Sequence, residues 1–337
     1  MNLKKLYIVT AFCSAAVFPT ILSAQTLYSD DFNSAADAAN YNINITAGAT
    51  GPSSDATFGY DYSALGIPAA PHTLDSTTLG LRLRVDNLQS SVGTVVGAVE
   101  VATKTLSLPS LYVVTADVWG NYIGGTSIAA SGSNGSTGAA MGIGTSGTSL
   151  QYIAGNDGLL VEAFHDNGGG ANQEYRVYTD SNHPNPTTSS YFAAGTSSTS
   201  ASYTDPYYSF LTSHTAPTAQ TTLSSATQGG STPAGIIGFA WHTMTLTQDG
   251  VNVTWAIDGT NIAIVPDSAL TFGGSQVSLG ADDSGLTGSS VANNQLLNAD
   301  IWDNLKITSV PEPVTSSLVI LGAAGLFLAR RRNSQSK

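Results

Sequence analysis

Short runs of strand-favouring residues recur along this chain, and this pattern constrains its fold more than any other feature. Residues 79–88 alternate in part between apolar and polar side chains, with Arg82 and Arg84 on one face, which is typical of a half-buried strand. No run between residues 25 and 310 has the roughly 3.6-residue period of an amphipathic helix. Other strand candidates, rich in Val, Ile, Thr, Tyr and Trp, are residues 97–106, 111–119, 159–164, 174–179, 238–247, 251–257, 261–265, 276–281 and 299–308. The sequence therefore predicts an all-β domain.

Two turns in the C-terminal half are specified in more detail. Gln248-Asp249-Gly250 separates two strand candidates, and Asp258-Gly259 separates the second of them from a third. Asp-Gly supplies the positive φ that a tight hairpin turn needs. We therefore expect three consecutive antiparallel strands here, with Trp241 and Trp255 on adjacent strands and able to pair across them.

The order of aromatic and acidic positions resembles the concanavalin A-like (laminin G-like) jelly-roll domains. The resemblance is carried by Phe239-Ala240-Trp241-His242, by residues 253–259, and by the closing run from Asp300 to Ile307. It implies one jelly-roll β-sandwich over residues 25–309. In that family an opening strand similar to Asp30-Asp31-Phe32-Asn33 pairs with the closing strand, and we expect the same pairing here.

The N-terminus has the features of an export signal. Lys4 and Lys5 form a basic region, residues 6–22 are apolar, and Ser23-Ala24 supplies a small residue for signal peptidase. We expect residues 1–24 to be a signal peptide cleaved after Ala24. Its removal takes away Cys13, the only cysteine, so the mature chain has no disulfide and no thiol nucleophile.

The C-terminus combines three elements in a fixed order. Pro311-Glu312-Pro313 is followed by an uncharged apolar run, 314–329, and then by Arg330-Arg331-Arg332. The run is just long enough for a transmembrane helix. The arginines predict that its C-terminal end lies in the cytoplasm, with the β-domain outside. The two prolines disfavour helix before the span and predict an extended, accessible neck.

These three elements resemble the PEP-CTERM sorting signal of Gram-negative bacteria, here residues 310–337. The resemblance implies that an exosortase, a membrane cysteine transpeptidase, recognises Pro311, Glu312 and Pro313. The protein would first be held in the membrane by its C-terminal helix and then reach the cell surface or the medium. Signal peptidase and an exosortase-type transpeptidase are therefore the expected partners.

The net charge of the chain excludes nucleic acid as a partner. The formal net charge is −12, and the acidic excess of residues 25–310 is larger still because most basic residues lie near the termini. Such a surface repels nucleic acid.

Residues 124–148 and 184–233 are rich in Gly, Ser, Thr, Ala or Pro and are predicted to be long loops. The aromatic residues within 203–210 are expected to pin part of the second loop to the sandwich.

No catalytic spacing is present along the sequence. Jelly-roll glycosidases commonly use a Glu-x-Asp-x-x-Glu strand, whereas Glu100, Glu162 and Glu174 lie on separate strand candidates. No Gly-x-Ser-x-Gly stands between a strand and a helix. The histidines, at 72, 165, 183, 214 and 242, have no zinc-binding spacing and are expected to be structural. We therefore predict no catalytic residue and a protein that is not an enzyme.

A calcium site and a glycan-contact surface are the remaining candidate sites, and no other cofactor is expected. The resemblance to jelly rolls implies a structural calcium ion, for which oxygen ligands are available. The candidate calcium residues are Asp30 and Asp31 with Asp300 or Asp303, Asp166 in the turn after a strand, and Asp282 and Asp283 with Asn293 and Asn294. Tryptophans 119, 241, 255 and 302 are expected in the core. The candidate glycan contacts are Tyr203, Tyr207 and Tyr208.

Three functions are compatible with these observations. The first is a non-enzymatic envelope, extracellular-matrix or adhesion component sorted by the exosortase system, with extracellular polysaccharide as a partner. The second is a calcium-assisted carbohydrate-binding module. The third is a polysaccharide hydrolase or lyase, which requires two carboxylates, or a Tyr with a His or Arg, to converge in one cleft. The lack of catalytic spacing favours the first.

Overall fold

The computed structural model describes residues 23–46, 54–85, 96–123, 136–151, 157–165, 173–179, 189–196, 200–223, 228–284 and 296–310. The predicted signal peptide to residue 22, Asp166 and the predicted sorting signal from Pro311 onward lie outside the described residues. Residues Gln25–Val310 form one compact unit. Within the described part of the chain, no helix has both the length and the apolar character needed to span a bilayer.

The predicted all-β fold is confirmed as a sandwich of two antiparallel sheets. The first sheet has the strand order β15-β14-β13-β6-β17-β4-β3, with β1 also paired to β17. Its strands are β1 (Thr26–Asp30), β3 (Asp55–Asp61), β4 (Leu79–Arg84), β6 (Tyr112–Asn121), β13 (Trp241–Gln248), β14 (Asn252–Ile257), β15 (Thr260–Pro266) and β17 (Ala299–Ser309).

The second sheet has the strand order β10-β9-β8-β7-β16-β5-β2. Its strands are β2 (Tyr41–Ile45), β5 (Val96–Thr103), β7 (Ser136–Thr145), β8 (Leu159–Phe164), β9 (Gln173–Thr179), β10 (Ala201–Ser202) and β16 (Gln276–Ser284). A separate ribbon joins β11 (His214–Thr215) to β12 (Ser231–Thr232).

Helical structure is confined to short pieces. The described residues contain one short α-helix, α1 (Thr218–Leu223), which the sequence did not predict, and 3-10 turns at Ala35–Asn40, Tyr62–Leu65, Ser189–Tyr191, Pro206–Phe210 and Asp267–Ala269.

The strand pairings predicted from turns and termini are present. Strand β13 pairs with β14 and β14 with β15 in antiparallel register. Asp258 and Gly259 both have positive φ, 49° and 78°, as the second hairpin requires. The opening strand β1 pairs with the closing strand β17, as the jelly-roll resemblance implied. Arg82 and Arg84 share a face, where both contact Asp55.

The core lies between the two sheets and is built by strand alternation. Leu81, Val114 and Trp302 from the first sheet and Met141 and Val161 from the second belong to one buried cluster. A smaller apolar cluster, which includes Trp119 and Ile301, covers part of the far side of the first sheet.

Three of the four tryptophans are buried as predicted, but the predicted tryptophan pair is wrong. Trp119, Trp255 and Trp302 are buried, whereas Trp241 is partly exposed. Trp241 stands opposite Trp119 of β6, with ring centroids 6.0 Å apart. Strand β13 pairs with β14 along one edge and with β6 along the other, and the partner of Trp241 lies on β6.

The aromatic residues of the second long loop pin it to the sandwich. Tyr208 is fully buried and stacks on Tyr175 of β9, with centroids 4.5 Å apart. The Tyr208 hydroxyl donates to the carbonyl of Ala194 at 2.8 Å. For the described part of this loop, the predicted pinning is confirmed, whereas residues 124–148, also predicted to be a long loop, contain strand β7.

Candidate functional site

A trough of small residues runs along the face of the second sheet that points away from the first. In β7, Ala139, Met141 and Ile143 enter the core between the sheets, so the alternate residues must face outward. Strand β16 repeats the pattern with Val277, Leu279 and Ala281 inward. The residues that point to this side at the middle of the sheet are Gly138, Ala140, Gly142, Ser278 and Gly280, and all five are buried. We call this surface the trough.

Two carboxyl groups face each other at the trough. Asp282 of β16 stands opposite Gly138 of β7, and Glu162 of β8 stands opposite Ala140. A Cβ atom added at Gly138 would lie 2.8 Å from both Asp282 Oδ1 and Glu162 Oε1, so these oxygens are no more than twice that distance apart. The fold therefore places the two groups within reach of one ligand atom.

Burial and charge determine where the proton of this pair resides. Glu162 and Asp282 are 0% and 3% exposed. Burial, with the nearby charge of Glu162, raises the pKa of Asp282 well above its usual value, and Arg176 offsets only part of this rise. The hydroxyl of Tyr178 donates to Glu162 Oε2 at 2.8 Å. Burial therefore favours the protonated form of Asp282, and the Tyr178 hydroxyl holds Oε2 of Glu162 in place.

Further carboxyl groups lie on the same face. Glu100 of β5 stands opposite Gly280, across the trough from Glu162, and its Oε2 accepts from the backbone N–H of Gln151 at 2.7 Å. Glu174 of β9 is also buried on this face. All three glutamates predicted on separate strands therefore converge on one surface. Within each strand, the alternation of glutamate with core residues was the only sequence signal for this convergence.

An open cavity of ≈ 1080 Å³ lies on the outer face of the first sheet. At its floor the His72 imidazole Nδ1 lies 2.8 Å from Oδ1 of the buried Asp117, and Asn304 Nδ2 donates to Asp117 Oδ2 at 3.0 Å. Asn304 has φ 53° at a bulge in β17, which turns its side chain toward Asp117. Burial raises the pKa of the neighbouring Asp303 to about 7, although the Tyr62 hydroxyl donates to it at 2.9 Å.

The predicted calcium ligands are distributed differently from the expectation. Asp30 and Asp31 come together with Asp37, with one carboxylate oxygen from each within 4.8 Å of the others, so these three side chains could hold a cation. Asp300 instead pairs with His165 at 2.9 Å, and Asp303 bonds Tyr62. The predicted convergence of Asp30 and Asp31 with either of these residues is therefore wrong.

Two of the remaining predictions are corrected by the geometry. Asp282 and Asp283 are consecutive residues of β16, so their side chains point to opposite faces and do not converge on one ion, and Asn293 and Asn294 lie outside the described residues. Tyr208 is buried and cannot present a face to a sugar. Tyr203 is partly buried, and Tyr207 is 40% exposed with its hydroxyl bonded to the carbonyl of Asn261.

Comparison with known proteins finds similarity in solved structures alone. No protein-family model matches the sequence, and no curated protein matches it. A protein of unknown function with a galectin-like fold from Bacillus subtilis is 9% identical, over 86% of this chain and 100% of that chain, with a TM-score of 0.41. An endo-1,3-β-glucanase from Streptomyces sioyaensis is 15% identical over 88% and 99%, with a TM-score of 0.39. A family 16 endo-glucanase from Bacteroides ovatus is 13% identical over 83% and 99%, with a TM-score of 0.38.

The prediction that this chain is not an enzyme does not stand. Glycoside hydrolases recur among the solved structures to which the chain is similar. The prediction assumed that catalytic carboxylates must share one strand. The sandwich instead joins Glu162 and Asp282 from strands that are far apart in sequence.

Proposed function

We propose that this protein is an exported, carbohydrate-active enzyme that hydrolyses glycosidic bonds with Glu162 and Asp282. The observation that carries the proposal is the pair of carboxyl groups facing each other across Gly138, one of them protonated and the other held by Tyr178. Glycoside hydrolysis needs such a pair, a proton donor for the leaving oxygen and a carboxylate for the sugar carbon or for water.

The separation of the pair favours the retaining mechanism. Retaining glycosidases have carboxyl groups about 5–5.5 Å apart, and inverting ones about 6.5–9.5 Å apart. The upper bound for the two oxygens here, twice 2.8 Å, lies below the inverting range. Asp282 would protonate the departing glycosidic oxygen while Glu162 bonds to the sugar carbon. Asp282 would then take a proton from water, whose oxygen displaces Glu162 and restores both groups.

The environment of the pair suits these roles. A general acid works best when its pKa lies near the working pH, and burial moves the pKa of Asp282 upward. The Tyr178 hydroxyl fixes one oxygen of Glu162 and leaves Oε1 directed toward Gly138. Because both carboxyl groups are closed to solvent, this face has to open for a sugar to enter.

Charge narrows the substrate class. The net charge of −12 and the acidic groups on the trough face repel uronic acids and sulfated sugars. We therefore infer a neutral polysaccharide. The terminal segments support action outside the cell, where the predicted exosortase route would deliver the enzyme to the surface or to extracellular polysaccharide.

The direct test is hydrolysis by the full-length protein. A neutral β-1,3-glucan and a neutral β-galactan are incubated with wild type, Glu162→Gln, Asp282→Asn and the control Asp75→Asn, and new reducing ends are counted. Asp75 is exposed and lies away from the trough. We expect both trough variants to lose 10²-fold or more of the rate, in line with the roughly 10²–10⁴-fold contribution of general acid–base catalysis, and the control to keep it.

A second measurement separates catalysis from binding. In Glu162→Ala, azide should replace the missing carboxylate and yield a glycosyl azide. Binding of either polysaccharide without any hydrolysis by the wild type would instead indicate a carbohydrate-binding module and refute the catalytic assignment.

A further inference from the structure

We propose that His214 and His242 together bind one transition-metal ion of the zinc type, which fastens the β11–β12 ribbon to the first sheet. His242 lies on β13 of that sheet, and His214 lies on β11 of the ribbon. Nothing in the glycosidase assignment depends on this ion, so the two proposals can fail independently.

A carboxylate fixes the imidazole of His242. Oδ2 of Asp258 lies 2.7 Å from Nδ1 of His242, and Oδ1 of Asp258 accepts from the backbone N–H of Thr243 at 2.8 Å. Because a carboxylate oxygen only accepts, the neutral imidazole carries its proton on Nδ1 and its lone pair on Nε2. Histidines that bind metals almost always have such a partner on the second ring nitrogen. His242 is therefore oriented as a metal ligand would be.

The nitrogen that carries the lone pair is buried and unsatisfied. His242 is 6% exposed, and its Nε2 has no hydrogen-bond partner among the residues that the structure describes. A buried acceptor without a donor is costly, and folded proteins keep few of them. An ion bound to Nε2 would remove this cost.

A second imidazole stands beside the first. The ring centroids of His214 and His242 are 6.4 Å apart, with the ring planes inclined by 72°. Two imidazoles on one zinc ion, each with a nitrogen at about 2.0–2.1 Å, have ring centres roughly 5–6.5 Å apart. The observed spacing lies at the upper end of this range, and His214, which is only partly buried, can rotate to shorten it. Thr212 Oγ1 lies 3.1 Å from Nε2 of His214, which leaves Nδ1 of His214 for the ion.

The two nitrogen ligands select the class of ion. Imidazole suits zinc, copper and nickel, whereas calcium and magnesium prefer oxygen ligands. Water would complete the coordination, so we expect weaker binding than at a structural zinc site with four protein ligands. Because the two histidines come from the ribbon and from β13, the ion would stabilise the contact between these two elements.

The test is calorimetric titration of the chelator-treated, full-length protein with zinc. We expect one ion per chain to be lost or bound at least tenfold more weakly in His214→Gln and in His242→Gln. The matched control is His72→Gln, because His72 also has a carboxylate partner, Asp117, 2.8 Å from its Nδ1. This control should bind zinc as the wild type does.

Asp258 is a positioning residue, and Asp258→Asn tests its role. Asp258 has φ 49°, a conformation that Asn also adopts readily, so the turn should be kept. The amide oxygen can still accept from Thr243, and the amide N–H₂ then faces Nδ1 of His242, which moves the ring proton to Nε2 and blocks the ion. We expect 10–100-fold weaker zinc binding, as for the loss of other such partners. An unchanged affinity would overturn the assignment of His242 as a ligand.

Electron paramagnetic resonance of the copper(II) form counts the nitrogen ligands directly. Two imidazoles are expected in the wild type and one in His214→Gln, a variant at a partly exposed position that decides the matter even where His242→Gln does not fold. Absence of zinc binding would overturn the proposal. Binding that survives both histidine variants but is lost in Asp31→Asn would also overturn it, because the ion would then lie at Asp30, Asp31 and Asp37.

Discussion

Replacement of Asp282 by Asn should stabilise the protein and abolish its activity. In the wild type, Asp282 and Glu162 are buried together, and burial raises the pKa of Asp282 well above its usual value. Asn has the same shape but carries no charge, so the variant avoids both the burial of a charge at residue 282 and its repulsion by Glu162. When a residue is retained for function at the expense of stability, its replacement is expected to stabilise the protein and to remove its activity.

The pH dependence gives the sign and size of this effect. Because the folded state holds the Asp282 proton more tightly than the unfolded state, the contribution of Asp282 to wild-type stability is largest in acid and falls as pH rises above the unfolded pKa of about 3.9. Asn cannot ionise and lacks this loss. At pH 8 the variant should gain about 1–3 kcal/mol in unfolding free energy, the usual cost of a buried unsatisfied polar group, and at pH 4 the gain should be smaller.

The assay is urea unfolding of wild type, Asp282→Asn and Asp75→Asn at several pH values between 4 and 8, alongside the polysaccharide assay. Asp75→Asn replaces an exposed carboxyl group and should follow the wild type within about 0.5 kcal/mol. Parallel pH profiles of the wild type and Asp282→Asn, or a variant less stable at every pH, would refute the reasoning about the buried pair.

Three further predictions concern other parts of the molecule. Tyr62→Phe removes the hydroxyl that donates to Asp303, whose pKa is raised by burial to about 7. In urea unfolding, the free energy of unfolding should fall by about 1–3 kcal/mol at pH 8, where Asp303 is ionised, and by less at pH 5.5. An equal loss at both pH values would contradict this. Gly259→Ala should cost about 1–2 kcal/mol, since φ is 78° but a Cβ meets nothing within 4 Å. Gly158→Ala should cost more, because φ is 76° and the Cβ lies 2.1 Å from the Ile143 carbonyl oxygen; equal losses would show that this contact relaxes freely. Mass spectrometry of the mature protein should find residues 330–332 removed only in cells that have the exosortase-type enzyme, and an intact tail in both would refute processing.

Local sequence signals predicted the parts of this fold that depend on neighbouring residues. Alternation in residues 79–88 placed Arg82 and Arg84 together, and the Asp258-Gly259 turn predicted a hairpin that is present. These features succeed because side-chain alternation and turn conformation are set within a few residues. The prediction that Trp241 pairs with Trp255 was wrong because β13 has two edges. The local sequence pattern predicts β14 as its neighbour on one edge but does not predict β6 on the other.

The candidate site shows the same division between local pattern and tertiary structure. From the sequence alone, Glu100, Glu162 and Glu174 were single acids on separate strands of an acidic, strand-rich chain, and Asp282 was a candidate calcium ligand. The tertiary structure placed β16 beside β7 and β7 beside β8, which brought Asp282 to Glu162. Strand order depends on long-range packing between residues far apart in the chain, so the convergence of these carboxyl groups, and the catalytic hypothesis built on it, emerged only from the folded structure.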